Sequence, residues 1–187
     1  MDAIKSSAEA LSAPVYGPDG AVGDGGTGGW EVAAEHFGTP AATALRREYY
    51  AEVAGRYWGR TATSAEVDQG LADDPADALT APTGAFLVGR YGGEPAACAG
   101  LRLLDPVTAE LTRVFVRPDR RGTGGGGALL AALEAAARSL GAQRIRLDTR
   151  TDLVEARGLY AKHGYAEIPA YNSGPYAQHW FEKRLSG

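Results

Sequence analysis

Between residues 40 and 60 the apolar side chains return every three to four positions. Leu45, Tyr49, Val53 and Tyr57 mark the stripe, and Tyr50 and Trp58 widen it. That period predicts an α-helix, with Thr39 as its N-cap and Pro40 in the first helical position. A shorter helix is expected over residues 64–72. Beyond the loop "DDPADALTAPTG" the period drops to two. "AFLVGRYGGEPAACAGLRLL" predicts two strands joined by a turn at Gly92-Gly93, and "AELTRVFV" and "RIRLDT" predict two more. "WEVAAEH" predicts a strand ahead of the first helix; "YAEIPAY" and "HWFEKRL" predict the last two strands. Between "AELTRVFV" and "RIRLDT" the stripe Leu129, Leu133, Ala136 and Leu140 predicts a second long helix, stopped at Gly141. Asp152 with Glu155 three residues on has the form of a capping box, opening a final helix that runs to Gly164. No internal repeat is visible.

Composition adds boundaries to this picture. Residues 1–28 are rich in glycine, proline and small polar residues, and are expected to form a flexible tail, docked at most through Val15 and Tyr16. Residues 29–187 are expected to form one domain. The net charge of −4 disfavours a nucleic-acid partner, which calls for a basic face. The single cysteine, Cys98, excludes an internal disulfide, and its apolar surroundings predict a buried, inert thiol. His36, His163 and His179 lie far apart with no cysteine neighbours, so no zinc site is expected. No apolar run is long enough for a membrane span or a signal peptide, so a cytoplasmic protein is expected.

One segment stands out chemically. "RRGTGGGG", residues 120–127, places five glycines between a strand and a helix, beside two arginines. A helix N-terminus presents unpaired N–H groups and partial positive charge. Bare backbone lets an anion approach those groups, and arginine suits phosphate oxygens. The segment therefore predicts a phosphate or pyrophosphate cradle. It is not a P-loop, because Gly127-Ala128-Leu129 stands where Gly-Lys-Ser/Thr is required. Residues 122–127 do satisfy G-x-G-x-x-G, and Asp148 ends the next strand where a ribose-binding acid would lie. Against a dinucleotide fold, "RPDRR" separates the strand from the first glycine, and the chain after Asp148 is too short for the remaining strands of a doubly wound sheet.

"VFVRPDRRGTGGGGALL" instead resembles motif A of the GNAT family of acyl-CoA-dependent N-acyltransferases, and "ARGLYAKHGY", residues 156–165, resembles the family's second landmark helix. The separation of the two, with one strand between, also matches. The resemblance implies an α/β (α+β) fold: a mixed, mostly antiparallel sheet splayed at its middle strands, flanked by helices on both faces, with acetyl-CoA as co-substrate in the splay and no metal. Two departures are visible. Leu153 stands where many members have an asparagine that touches the cofactor. Gly125 and Gly127 replace a bulky aliphatic and a frequently basic residue, and are expected to loosen the loop.

The resemblance also implies roles. Val114, Phe115 and Val116 would grip the pantetheine arm with their backbone. Arg121, Gly122, Thr123, Gly124, Gly125, Gly126 and Gly127 would hold the phosphates. Tyr160 matches the tyrosine that protonates the departing thiolate. Glu110, at the start of the strand, is the candidate base, with strand alternation placing it on the side of Val114. Tyr49, Tyr50, Tyr171, Tyr176 and His179 could line the acceptor site, with Tyr49 and Tyr176 taken as its candidates. The implied reaction is acetyl transfer to a primary amine of a small molecule. Protein lysines or N-termini, and a non-catalytic acyl-CoA-binding module, are the alternatives. A homodimer stays open.

Overall fold

The computed structural model describes residues 15–16, 29–74 and 76–186. The flexible-tail expectation for residues 1–28 thus falls outside the described residues, apart from the two-residue strand β1 (Val15–Tyr16). The elements that follow are β2 (Trp30–Ala34), α1 (Pro40–Trp58), α2 (Ser64–Asp73), β3 (Gly84–Tyr91), β4 (Glu94–Asp105), β5 (Thr108–Val116), α3 (Gly125–Ser139), β6 (Arg144–Thr149), α4 (Val154–Lys162), β7 (Ala166–Ile168) and β8 (His179–Arg184).

The local chemistry explains most boundaries. Thr39 caps α1 by accepting from the Ala42 N–H, Pro40 opens the helix, and Gly59 ends it in the left-handed region. α2 opens with a reciprocal capping box between Thr63 and Glu66. The capping box expected at Asp152 and Glu155 does not form. Asp152 accepts from Arg150 at 2.8 Å and Glu155 accepts from Arg56 of α1 at 3.1 Å, so α4 begins without a side-chain cap.

The strands form one eight-stranded sheet in the order β1-β2-β3-β4-β5-β6-β8-β7. Every pair is antiparallel except β5 with β6. That parallel pair matches only Thr108, Glu110 and the residue between them with 144–146, after which the strands part. Two cores cover the two faces. Leu87, Leu101, Leu129, Leu133, Ile145 and Tyr160 belong to the one under α3 and α4. Leu45, Leu79, Phe86, Val88 and Phe115 belong to the one under α1. Cys98 is fully buried in the second, and burial pushes its thiol up to about 12.

Candidate active site

The parting of β5 from β6 opens the sheet at its centre. Past Glu110, β5 is paired on one side only, by β4, so its other edge is left without a strand neighbour. The resulting cleft of about 910 Å³ is lined by Val114, Phe115 and Val116 on β5, by every residue from Arg120 to Ala128, and by Tyr49, Glu52 and Val53 on α1. Leu153, Ala156, Leu159, Lys162 and His163 close it from the α4 side. All ten residues expected to hold the cofactor face this one cleft.

At its end lies the N-terminus of α3. Gly124 is the N-cap at φ 94°, a left-handed conformation that a β-branched residue resists. The first intrahelical bond runs from the Ala128 N–H to the Gly124 carbonyl at 3.0 Å. The N–H groups of Gly125, Gly126 and Gly127 therefore have no acceptor within the helix, which is the arrangement that binds anions.

The other glycines have a different reason. A Cβ at Gly125 would lie 2.4 Å from the Trp30 indole, one at Gly126 2.9 Å from Leu159, and one at Gly127 2.9 Å from His163 Nε2. The expectation of a loosened loop is thus corrected. Trp30 fills the space of the missing side chain at 125, and its Nε1 donates to the Thr123 carbonyl (3.2 Å) and hydroxyl (3.0 Å). His163 fills the space at 127, its Nδ1 tied to the Leu159 carbonyl at 2.9 Å. Neither partner was legible from the loop sequence, because both come from distant elements.

Arg121 is partly occupied. Its Nε donates to the Val116 carbonyl at 3.0 Å and its guanidinium pairs with Glu52 of α1 at 2.6 Å. Arg120 stacks over the Tyr91 ring, 5.5 Å from its centroid.

Strand alternation does not carry Glu110 to the side of Val114. β5 bulges at Arg113 and Val114: Cys98 faces Phe115 while Gly100 faces Thr112, so two residues of β5 stand against Ala99. Arg113 takes φ 54° there. Ala109 and Leu111 face the α3 core before the bulge, and Val114 and Val116 face it afterwards. Glu110 therefore points to the opposite face. It is buried, accepts from Arg102 Nε at 2.7 Å on one oxygen and from the Tyr171 hydroxyl at 2.9 Å on the other. Burial and the neighbouring carboxylate push the Tyr171 phenol upward.

Tyr160 packs between Tyr165 and Phe181, each ring 5.9 Å away. It is not among the residues lining the large cleft. Its hydroxyl makes no hydrogen bond to any described residue, and it lies within electrostatic reach of Tyr49 and Asp148. Burial raises its pKa, so it keeps its proton at neutral pH. Tyr176 is over half exposed and meets Tyr57 edge-on at 5.4 Å, away from the cleft. Tyr49 is partly buried against the core under α1, its phenol pushed up to about 12 by desolvation.

Tyr49 also lines a second, polar cavity of about 290 Å³, with Asp74, Arg102, Glu110, Thr112, Arg113, Asp148 and Asn172. Asp148 on β6 accepts from Asn172 Nδ2 at 2.7 Å, and Asn172 Oδ1 accepts from Trp180 Nε1 at 2.8 Å. Asp148 was not apparent from sequence as a member of this site. It reads there only as a ribose-binding acid, because its neighbours Asn172 and Glu110 are far away along the chain.

Comparison with known proteins fits this geometry. The family model described as the acetyltransferase (GNAT) family matches residues 40–165. Among solved structures, a Klebsiella pneumoniae protein assigned as an acyl-CoA N-acyltransferase superposes with a TM-score of 0.63 at 27% identity, covering 84% of this chain and 98% of its own. A GNAT acetyltransferase from Staphylococcus aureus superposes with a TM-score of 0.67 at 15% identity, covering 84% and 100%. One from Elizabethkingia anophelis, solved with acetyl-CoA bound, gives 0.57 at 18% identity, covering 83% and 98%. No curated protein matches the chain. The chain belongs to the GNAT family and is an acetyltransferase. No helix among the described residues is long and apolar enough to cross a membrane.

Proposed function

We propose that this enzyme transfers the acetyl group of acetyl-CoA to a primary amine of a small molecule. The observation that carries the reading is the continuity of one cleft from the unpaired edge of β5 to the free N–H groups at the start of α3. A long ligand with an anionic end and an amide-bearing arm suits that surface. Gly125, Gly126 and Gly127 would receive the phosphates through backbone N–H groups, with Arg120, Lys162 and His163 at the same wall. Val114, Phe115 and Val116 would hold the arm. When bound, acetyl-CoA supplies an acyl carbon activated as a thioester.

Tyr160 holds a proton at its hydroxyl and gives it to the departing sulfur. Three features support that role: the hydroxyl has no hydrogen-bond partner among the described residues, its pKa is raised, and it lies within electrostatic reach of Tyr49, which lines both cavities. The polar cavity behind Tyr49 has the size of a small acceptor, which favours a small amine over a bulky one. Residues 29–187 carry this activity on the present reading.

Free thiol release, measured with acetyl-CoA and a panel of small amines and lysine peptides, tests the proposal. Small amines should react and acetyl-CoA should raise the melting temperature. A shift with NAD and none with acetyl-CoA would overturn it, and reaction with peptides alone would replace the small amine by a protein acceptor.

A further inference from the structure

The polar cavity carries an unbalanced charge. Its walls hold two guanidiniums, Arg102 and Arg113, and three carboxylates, Asp74, Glu110 and Asp148. Arg102 pairs with Glu110 at 2.6 Å and Arg113 pairs with Asp74. Asp148 is left over. Among the described residues no cation forms an ion pair with it, and its one polar partner is the neutral amide of Asn172. Burial, with repulsion from Glu110, raises its pKa. An unpaired carboxylate in a half-buried cavity is costly unless a ligand completes it.

Its position matches that need. β6 leaves β5 after Arg146, so Asp148 stands two residues beyond the last paired position, at the mouth of the splay. Ile145, Leu147 and Thr149 are buried on the alternate side of β6, which turns Asp148 to the face that Glu110 occupies. The groups that share its cavity are Glu110 on β5, Arg102 on β4, Asn172 from the β7–β8 connection and Tyr49 on α1, and Tyr160 lies within electrostatic reach. Asp74 and Arg113 line the same cavity.

Resting on the amine-acceptor reading above, we infer that Asp148, rather than Glu110, binds the acceptor's ammonium group and removes its proton. The acceptor class is a primary amine that is cationic at neutral pH. One N–H bond of the ammonium breaks and one O–H bond forms on the Asp148 carboxylate. The nitrogen lone pair is thereby freed, and the proton passes to solvent as the site opens. Glu110 is a positioning residue. Both its oxygens are engaged, so it fixes Arg102 and Tyr171 and leaves Asp148 as the cavity's unmatched charge.

Asp148→Asn tests this with little disturbance, because an amide oxygen still accepts from Asn172. Acetyl transfer in a single turnover should fall about 10²–10⁴-fold. The affinity for acetyl-CoA should stay within twofold. Calorimetric binding of a reactive amine to the complex with free CoA, which cannot turn over, should weaken at least tenfold. The wild type should lose kcat/KM on the acid side as Asp148 is protonated, and that fall should be absent from the variant.

The variant should melt no lower than the wild type at pH 7. A carboxyl whose pKa is raised on folding binds its proton more tightly when folded, so its ionisation costs stability above its unfolded pKa and that cost is relieved as pH falls. Wild-type rate and wild-type amine binding in the folded variant would overturn the inference and leave the acetyl-transfer reading standing. No thiol release by the wild type with any amine would remove that reading and the inference with it.

Discussion

The Trp30 indole occupies the space that a side chain at Gly125 would need, with a built Cβ only 2.4 Å from the ring. The contact joins the first residue of β2 to the first turn of α3, and the indole N–H anchors Thr123 in the same loop. Gly125→Ala should therefore overpack the site at a cost of about 1–3 kcal/mol. For a domain of this size that is a loss of roughly 2–4 °C in Tm per kcal/mol. A smaller residue at position 30 should recover part of the loss in a double-mutant cycle. Additive losses in calorimetric melts would show that the two positions do not compete for space.

Gly124→Val should abolish acetyl-CoA binding while leaving far-UV circular dichroism intact. Among the described residues, chain neighbours aside, nothing lies within 4 Å of a Cβ built at Gly124, so the fold around it does not oppose the side chain directly. The backbone does: φ is 94°, and holding a β-branched residue there costs on the order of 1–3 kcal/mol. The loop would relax and withdraw the N–H groups of the following glycines. Unchanged affinity by calorimetry would assign the loop a purely connecting role.

Tyr160→Phe removes a hydroxyl that bonds no described residue and keeps a ring packed on Tyr165 and Phe181. Melting temperature and acetyl-CoA affinity should hold. The single-turnover rate should drop about 10²–10⁴-fold if this phenol protonates the sulfur. A near-wild-type rate would transfer that role to water or another group.

Glu52 sets a negative charge on the wall of a cleft read as binding phosphates, and it engages Arg121 at 2.6 Å. Glu52→Gln should release the guanidinium and tighten acetyl-CoA binding by roughly two- to fivefold at low salt, as expected for a partly exposed pair. The gain should shrink as salt is added. Weaker binding would mean that Glu52 serves by holding Arg121 in place.

How much of this was legible in the sequence depends on the range of each interaction. Thr39, Pro40 and the glycine loop act on their immediate neighbours, and their roles in starting α1 and α3 could be read directly. The apolar stripe of α1 was read correctly as helical, yet it changes purpose along its length. Leu45 is core, Tyr49 and Val53 line the cleft, and Tyr57 is exposed. Periodicity cannot separate these, because a cleft wall and a core wall have the same spacing. The capping box at Asp152 failed because Arg56, nearly a hundred residues away, claims Glu155. The side on which Glu110 points was lost at a bulge centred on an arginine with φ 54°, which no local residue preference announces. Asp148 was legible only as a ribose-binding acid, because its place here rests on the lack of a cation beside it among the described residues, a fact about its surroundings and not about its neighbours in the chain.

The strand order has a temporal consequence. β8 follows β7 in the chain yet lies between β6 and β7, and among the described residues it is β7's only strand partner. Until residues 179–184 have been synthesised, β6 is held by three parallel pairings alone and β7 by none. During vectorial synthesis the nascent chain can complete the half from β2 to β5, but the other half must wait for β8 to emerge. Asn172, which donates to Asp148, sits in the connection between β7 and β8. The polar cavity thus closes only once β8 is in place, and a chain cut ahead of β8 would keep its glycine loop and lose the wall that holds Asn172 against Asp148.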